Sequence, residues 1–434
     1  MVSMASMAGL VFLVFAIGLV VGLPIVTSLG LATVWPKLMG VVGSTSHEAV
    51  IRAIFGGADS TPIIAVPLFI LAGVLMARGG ISKKLFNVIA YFIGNKTAGM
   101  PCAAVITCLF YGAISGSGPA TAAAVGGMTL PILIELGYDK YFCAALVATA
   151  GSLGVIIPPS IPFVLYGTST GASVGDLFIA GVIPGILIGV VLMIYTFFYC
   201  KIHGEDKEKI GKNYQELRAL GLGQLIKDSF WALLSPLIIL GGIYSGYFTP
   251  TEAACISVFY SLLISLFVYK TIKVPQIWDI TISSVKGYAP LIFILSIATA
   301  FGRVLSLLRA PQMISEIFAN TFTSSGPFLF VIVAFFFVLG MVMDTGPAIV
   351  IMAPILMPTI QAFNIDPVHF GVIMVTCLAI GLVTPPFGLN LFVAAPLINA
   401  PVLKVGKTAL PLIGIYTIAL LLITFIPAIS LILL

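Results

Sequence analysis

Two segments of this chain, 227 residues apart, interrupt apolar sequence with the same helix-breaking residues. Residues 154–159 read Gly-Val-Ile-Ile-Pro-Pro, and residues 381–386 read Gly-Leu-Val-Thr-Pro-Pro. Upstream of each, residues 115–120 (Ser-Gly-Ser-Gly-Pro-Ala) match residues 343–348 (Met-Asp-Thr-Gly-Pro-Ala) at an offset of 228. Proline removes a backbone donor and clashes with the carbonyl four residues before it, so a Pro-Pro pair breaks a helix. The duplication predicts two structural repeats, each containing one broken helix.

The apolar composition predicts an all-α polytopic membrane protein. The chain is 60% hydrophobic and 8% charged, whereas about a quarter of the residues of a soluble domain are charged. Apolar runs near the required length indicate on the order of ten to thirteen membrane segments. The net charge of +5 comes from small clusters that suit loop ends at a lipid bilayer better than nucleic-acid binding.

The first apolar run is predicted to remain in the protein as a helix. It extends from about residue 9 to residue 29, and no Lys or Arg precedes Lys37. A secretory signal peptide would carry a positive amino-terminal region before its apolar core.

Charge distribution divides the chain into two halves. Residues 201–228 form a long polar stretch in which acids and bases alternate. Such a stretch is typical of a solvated linker or a surface helix. We therefore expect a first half over residues 1–200 and a second half over residues 229–434.

Each half is predicted to contain a re-entrant hairpin followed by the broken helix. In the first half, two apolar arms of about 15 to 17 residues, short for a full span, flank the polar tip. The predicted hairpins cover residues 100–136 and 328–363, and the predicted broken helices cover residues 141–166 and 370–396. The sequence pattern alone leaves open whether the two repeats are parallel or inverted.

The broken helices suggest two cation sites. Carbonyl groups freed at membrane depth need a donor or a cation, and alkali cations prefer hard oxygen ligands. We expect each hairpin tip and its neighbouring break to surround one ion. The alternative is that glycine and proline only permit close helix packing and kinks. The candidate ligands are Ser115, Gly154, Ile157, Pro159, Asp344, Gly381, Thr384 and Pro386.

Asp344 is the most informative single candidate, because its carboxylate lies within an apolar region. Ionisable groups at such depth are costly and usually functional. The alternative is an N-cap that accepts backbone N–H bonds from the following arm.

Arg303 is a candidate ligand for a substrate carboxylate, since guanidinium binds such groups in a bidentate geometry. The alternative is a side chain that snorkels to a membrane face. The other candidate substrate residues are polar positions at the tips and breaks: Ser117, Ser160, Thr345 and Asn390.

Other motifs have structural interpretations or exclude whole classes of function. Thr249, Pro250 and Glu252 have the spacing of a capping box. The sequence Gly-Lys-Thr at residues 406–408 resembles the end of a phosphate-binding loop, but Pro401 stands where that loop requires glycine. We therefore expect no nucleotide hydrolysis, and the histidines lack metal-ligand spacing.

Several motifs resemble the large membrane subunit of tripartite ATP-independent periplasmic (TRAP) transporters, and the resemblance covers essentially the whole chain. The matching segments are residues 116–126, 157–162, 248–254, 366–371 and 384–390.

The resemblance implies a sodium-driven importer of a carboxylate substrate, located in the bacterial inner membrane and not an enzyme. It implies inverted repeats, an elevator movement and two or more sodium sites. It also implies two partners, a small four-helix membrane subunit and a periplasmic substrate-binding protein. Arg303 stands at a position where many relatives are expected to have a bulky neutral residue. This difference suggests that the substrate is an acidic sugar such as sialic acid rather than a C4-dicarboxylate.

Two other classes of function remain open at this point. An ion channel would use the broken helices as a filter and would show no gradient-coupled uptake. An intramembrane serine hydrolase would use Ser115 or Ser117, but it needs a base, and His369 lies at a polar turn.

Overall fold

The computed structural model describes residues 4–39 and 47–434, and within these ranges every regular element is helical. A 3-10 turn (Ser152–Val155) and a π-helical segment (Ile264–Val268) accompany the α-helices. In chain order the α-helices are α1 (Met4–Val20), α2 (Ile25–Leu38), α3 (His47–Ala58), α4 (Thr61–Arg78), α5 (Ile81–Ile93), α6 (Gly99–Ser115), α7 (Gly118–Glu135), α8 (Lys140–Gly151), α9 (Ile161–Thr170), α10 (Val174–His203), α11 (Lys207–Ala219), α12 (Leu222–Tyr244), α13 (Pro250–Leu263), α14 (Gln276–Leu307), α15 (Ala310–Thr321), α16 (Ser325–Val342), α17 (Thr345–Ala362), α18 (Pro367–Gly381), α19 (Leu389–Leu397), α20 (Val402–Phe425) and α21 (Ala428–Leu431).

Eight of the described helical segments are long and apolar enough to cross a membrane. They are α4, α10, α12, α13 with the π-helical segment, α14, α16, α17 and α20. Five shorter apolar helical segments accompany them, in α1, α2, α6, α8 and α18. The expectation of a polytopic all-α membrane protein is confirmed.

The first apolar run is not one helix, which corrects the prediction of a continuous helix over residues 9–29. Helix α1 ends at Val20, and α2 begins at Ile25. Gly22 has a φ of +87°, a left-handed conformation that glycine adopts without steric cost. Pro24 follows at the N-cap of α2 and cannot donate a hydrogen bond.

Helices α8 and α18 form the centre of the molecule. Every residue of α8 from Phe142 to Gly151 is buried, and so is every residue of α18 from His369 to Gly381. A helix that is apolar on all sides lies in a protein core or in a membrane, and other helices surround these two. Helices α6, α7 and α20 pack around α8, while α10, α16, α17 and α20 pack around α18.

The two halves of the chain share this core. Helix α17 packs on α9, α19 packs on α7 and α8, and α20 packs on α8. On the other side of the molecule α4 packs on α13, and α14 packs on α2, α3 and α4. The halves defined by sequence are therefore interlocked rather than separate globular units.

The polar stretch at residues 201–228 is mainly helical. It comprises the end of α10, the whole of α11 and the beginning of α12. Glu205 lies between α10 and α11, and its Oε1 accepts hydrogen bonds from the backbone N–H of Ala98 at 2.9 Å and the hydroxyl of Tyr138 at 2.6 Å. Ala98 precedes α6 and Tyr138 follows α7, so one carboxylate contacts both outer ends of this helix pair.

Candidate functional site

The first tip connects α6 to α7 with only two residues between them. Gly116 has a φ of +62°, which permits the sharp reversal. The hydroxyl of Ser115 lies 2.8 Å from the hydroxyl of Thr121, and Thr121 donates to the carbonyl of Ser117 at 2.8 Å. Ser115 and Thr121 are buried, so this small polar network is enclosed by the protein.

The first break, residues 156–160, lies directly against this tip. If Gly112 of α6 were alanine, its methyl group would lie 2.8 Å from the Cα of Gly154, so the two backbones are in close contact. The N–H of Ile161 donates to the carbonyl of Gly116 at 3.3 Å. Within the described residues, no hydrogen bond reaches the carbonyl oxygens of Ile157 and Pro159. The tip and the break therefore form one unit that contains unpaired backbone acceptors.

The second tip connects α16 to α17 through Met343 and Asp344. The Oδ1 atom of Asp344 accepts from the N–H of Thr345 at 2.7 Å and lies 3.3 Å from the hydroxyl of the same residue. Asp344 therefore occupies the N-cap of α17, as the capping alternative expected. Its counterpart in position is Ser117, the residue before α7, rather than Ser115.

The second break, residues 382–388, repeats the packing of the first. A methyl group on Gly381 would lie 2.5 Å from the Cα of Gly340 in α16. The separations 340 − 112 = 228 and 381 − 154 = 227 equal the offsets of the duplicated motifs. No hydrogen bond among the described residues reaches the carbonyl oxygens of Thr384 and Pro386. The same contact between a hairpin arm and a broken helix thus occurs in both halves.

Both tips open into one cavity of about 730 Å³. Helices α4, α9 and α14 supply its other walls, which are mainly apolar. Four residues predicted from the sequence line it: Ser115, Ser117, Asp344 and Thr345. The structure therefore brings residues from two motifs 228 positions apart to a single space.

The remaining predicted cation ligands lie behind the tips, outside the cavity lining. They are Gly154, Ile157, Pro159, Gly381, Thr384 and Pro386. The Thr384 hydroxyl donates to the carbonyl of Ile380 at 2.9 Å, and the Gly381 carbonyl accepts from the N–H of Thr384 at 3.1 Å.

Two predicted substrate residues are buried away from the cavity. The hydroxyl of Ser160 donates to the carbonyl of Val155 at 2.5 Å and accepts from the N–H of Phe163 at 3.3 Å, so it caps α9. The side chain of Asn390 donates through Nδ2 to the carbonyl of Ala148 at 2.9 Å. These bonds assign a structural role to Ser160 and connect the two halves through Asn390.

Arg303 lies outside the cavity lining, near the end of α14, and its side chain is exposed. Helix α14 is continuous, and each residue advances the chain about 1.5 Å along its axis. Arg303 is nine positions beyond Ile294, the last residue of α14 that lines the cavity, which separates the two by about 13 Å along the helix axis. The expectation that Arg303 meets the substrate has no support in this geometry, whereas its exposure near a helix end fits the snorkelling alternative.

Three polar or charged residues that no sequence motif indicated also line the cavity. Arg78 at the end of α4, Tyr111 of α6 and Ser283 of α14 all line it. The signal for α4 was present in the spacing of Ile70, Gly73 and Ala77, which places them on one face of a helix.

The chain is similar to known proteins along almost its whole length. The model of the DctM component of tripartite ATP-independent periplasmic transporters matches residues 12–429. An isethionate TRAP transporter permease protein, DctMQ, of Oleidesulfovibrio alaskensis is 43% identical over 96% of this chain. This chain spans 64% of the length of that relative. A C4-dicarboxylate TRAP transporter large permease protein of Pseudomonas aeruginosa is 37% identical over 87% of both chains.

A solved structure shows the same general fold at low sequence identity. The YdaH transporter of Alcanivorax borkumensis superimposes with a TM-score of 0.59 and 14% identity over 86% of each chain. Because the family model covers nearly all residues and the relatives match over most of their lengths, this chain belongs to the DctM family of TRAP transporter large permease subunits.

Proposed function

We propose that this chain is the membrane-embedded subunit of a sodium-coupled importer of small organic anions, and that the cavity lined by both tips is its substrate site. The observation that carries the proposal is the convergence of Ser117 and Thr345, from duplicated motifs, on one cavity. Secondary transporters bind substrate and ions where the broken helices of two repeats meet.

Sodium coupling is supported by the unpaired oxygen atoms of the two breaks. The carbonyls of Ile157 and Pro159 in the first half, and of Thr384 and Pro386 in the second, receive no hydrogen bond from the described residues. A buried carbonyl oxygen costs free energy unless a cation or a donor pairs with it. Ile157, Pro159 and Thr384 are buried, whereas Pro386 is exposed. Ser115 and Asp344 would complete the first and second sites respectively.

The same geometry supports a proposal for the transport movement. We propose that α6–α7 and α16–α17 are re-entrant hairpins of inverted repeats and that they move with the broken helices as an elevator. The packing of Gly112 on Gly154, and of Gly340 on Gly381, would keep each tip and its break together during that movement. Close backbone contact of this kind is typical of small residues between membrane helices.

Family membership supports a proposal for the partners and the location. Large permeases of this family work with a small membrane subunit and a periplasmic binding protein. We propose that this chain lies in a bacterial inner membrane beside a four-helix small subunit and receives its substrate from such a binding protein. Its many exposed apolar side chains, such as Phe293, Phe330 and Val338, suit contact with lipid or with the small subunit.

The proposed substrate class is a small organic molecule with an acidic group. The relatives described above are named for isethionate, a sulfonate, and for C4-dicarboxylates. The suggestion of an acidic sugar depended on Arg303, which lies outside the cavity.

Reconstitution tests the proposal. Proteoliposomes containing both membrane subunits, supplied with loaded binding protein, should accumulate substrate when sodium is high outside. Uptake that is equally fast with potassium in place of sodium would contradict sodium coupling. Passive conductance without accumulation would instead indicate a channel.

A further inference from the structure

Arg78 is the single basic residue among the described residues that line the cavity. We infer that its guanidinium binds the anionic group of the substrate, and that the cavity therefore favours molecules with one such group over dianions. This inference depends on the proposed function, since it assigns a binding role within the same cavity.

The packing of α4 places Arg78 close to the first tip. The hydroxyl of Tyr111 donates to the carbonyl of Gly73 at 3.1 Å, and a methyl group on Gly73 would lie 3.2 Å from the Cα of Ser115. Arg78 is five residues farther along α4, which corresponds to about 7 Å. The extended side chain of arginine spans a similar distance, so the guanidinium is within reach of a molecule bound at the tip.

The guanidinium of Arg78 is available for a ligand. Its side chain is exposed to the cavity, and no described residue forms a salt bridge or a side-chain hydrogen bond with it. Its position in the last turn of α4 would also suit a residue that only stabilises the helix end. Arg78 lines the cavity, whereas Arg303, which is also exposed, does not.

The charges of the cavity limit the number of anionic groups that it can pair. Arginine binds a carboxylate or a sulfonate through parallel N–H bonds. Asp344 is the single carboxylate in the described lining, and the other polar side chains are neutral, such as Ser117 and Ser283. The second anionic group of a dicarboxylate would find hydroxyl groups but no second cationic side chain in this lining, which is less favourable than pairing with a guanidinium.

The first test uses the unmodified complex of both membrane subunits. Phenylglyoxal, which modifies accessible guanidinium groups, is applied in sodium buffer with 10 mM isethionate, with 10 mM succinate or with neither, and modification is mapped by mass spectrometry. We expect isethionate to slow modification of Arg78 at least fivefold, succinate to slow it less, and Arg303 to react equally in all three conditions. Equal reaction of Arg78 in every condition, or stronger protection by succinate, would overturn the inference.

The second test uses substitutions in the reconstituted system. Arg78→Gln should raise the KM for uptake about tenfold or more, because a charge-assisted hydrogen-bond pair is lost. Arg78→Lys should recover part of the affinity, and the sodium concentration for half-maximal uptake should stay within twofold of the wild-type value. Arg303→Gln is the matched comparison and should leave the KM within twofold.

The outcomes separate this inference from the proposed function. An unchanged KM in Arg78→Gln, or equal increases in Arg78→Gln and Arg303→Gln, would refute a role for Arg78 while sodium-driven uptake by the wild type stands. Absence of sodium-driven uptake by the wild-type complex would refute the proposed function itself. The protection experiment needs no substitution, so a variant that fails to fold does not prevent a decision.

Discussion

Gly340 and Gly381 meet through their backbones, since a methyl group on Gly381 would lie 2.5 Å from the Cα of Gly340. In the first half, a methyl group on Gly112 of the hairpin arm would lie 2.8 Å from the Cα of Gly154, and in the second half a methyl group on Gly340 would lie 3.2 Å from the Cα of Gly381. Neither contact has room for a side chain at the crossing of a hairpin arm and a broken helix.

Gly381→Ala is expected to separate α16 from α18, because the neighbour of the new methyl group is backbone and cannot rotate away. Overpacking of this kind costs about 1–3 kcal/mol. We expect a lower melting temperature in detergent and a large loss of uptake. Gly414→Ala is the control, because nothing lies within 4 Å of the position of its methyl group. A Gly381→Ala protein as stable and active as Gly414→Ala would contradict close packing.

Asp344→Asn separates capping from ion binding. Asparagine retains an oxygen that accepts from the N–H of Thr345, so the melting temperature should change little. It removes the negative charge that offsets ion desolvation, so the sodium concentration for half-maximal uptake should rise about tenfold or more. Uptake measured against sodium concentration checks this. Wild-type stability together with a wild-type sodium response would remove Asp344 from the list of ligands.

Ser115→Ala should have a smaller effect than Asp344→Ala, since it removes a neutral ligand rather than a charge. It also deprives Thr121 of a partner at 2.8 Å, although Thr121 retains its bond to Ser117. We expect a loss of about 0.5–1.5 kcal/mol in stability and a moderate increase in the sodium requirement. Sodium titrations of the two alanine variants provide the comparison, and a larger effect at Ser115 would reverse the assignment.

Glu205→Ala should loosen the outer ends of the first hairpin. Two donors, the N–H of Ala98 and the hydroxyl of Tyr138, lose a charged acceptor, and such bonds each contribute about 1.5–3 kcal/mol. Faster hydrogen exchange at the amide of Ala98 is the expected observation. Glu208→Ala is the control, because the Glu208 carboxylate pairs with exposed Lys212 at 2.6 Å and such pairs contribute about 0.3–0.5 kcal/mol. Equal exchange rates in the two variants would show that Glu205 does not restrain the hairpin.

The local structure around prolines and glycines was predictable from the sequence. The capping box at Thr249 is confirmed, with Glu252 bonded to the backbone N–H of Thr249 at 2.8 Å. The tips at residues 116–117 and 343–344 lie where the polar interruptions suggested. These features depend on neighbours in the chain, because proline, glycine and capping residues act within one helical turn.

The composition of the cavity was less predictable, because it depends on packing between distant helices. Arg303 attracted attention as a basic residue in apolar sequence, yet the continuous α14 carries it away from the tips. Arg78 appeared to be an ordinary charge at a loop end, and only the contact of α4 with the first tip places it in the cavity wall. The sequence immediately around Arg303 or Arg78 does not indicate whether its side chain lines the cavity.

Helix α19 lies near the end of the chain, yet it covers α7 and α8 of the first half. Asn390 of α19 also donates to the carbonyl of Ala148. During synthesis α7 and α8 therefore remain without the cover of α19 until more than two hundred further residues have left the ribosome. Lipid or the insertion machinery must accommodate these helices in the meantime, and loss of α19 would leave α7 and α8 without this cover.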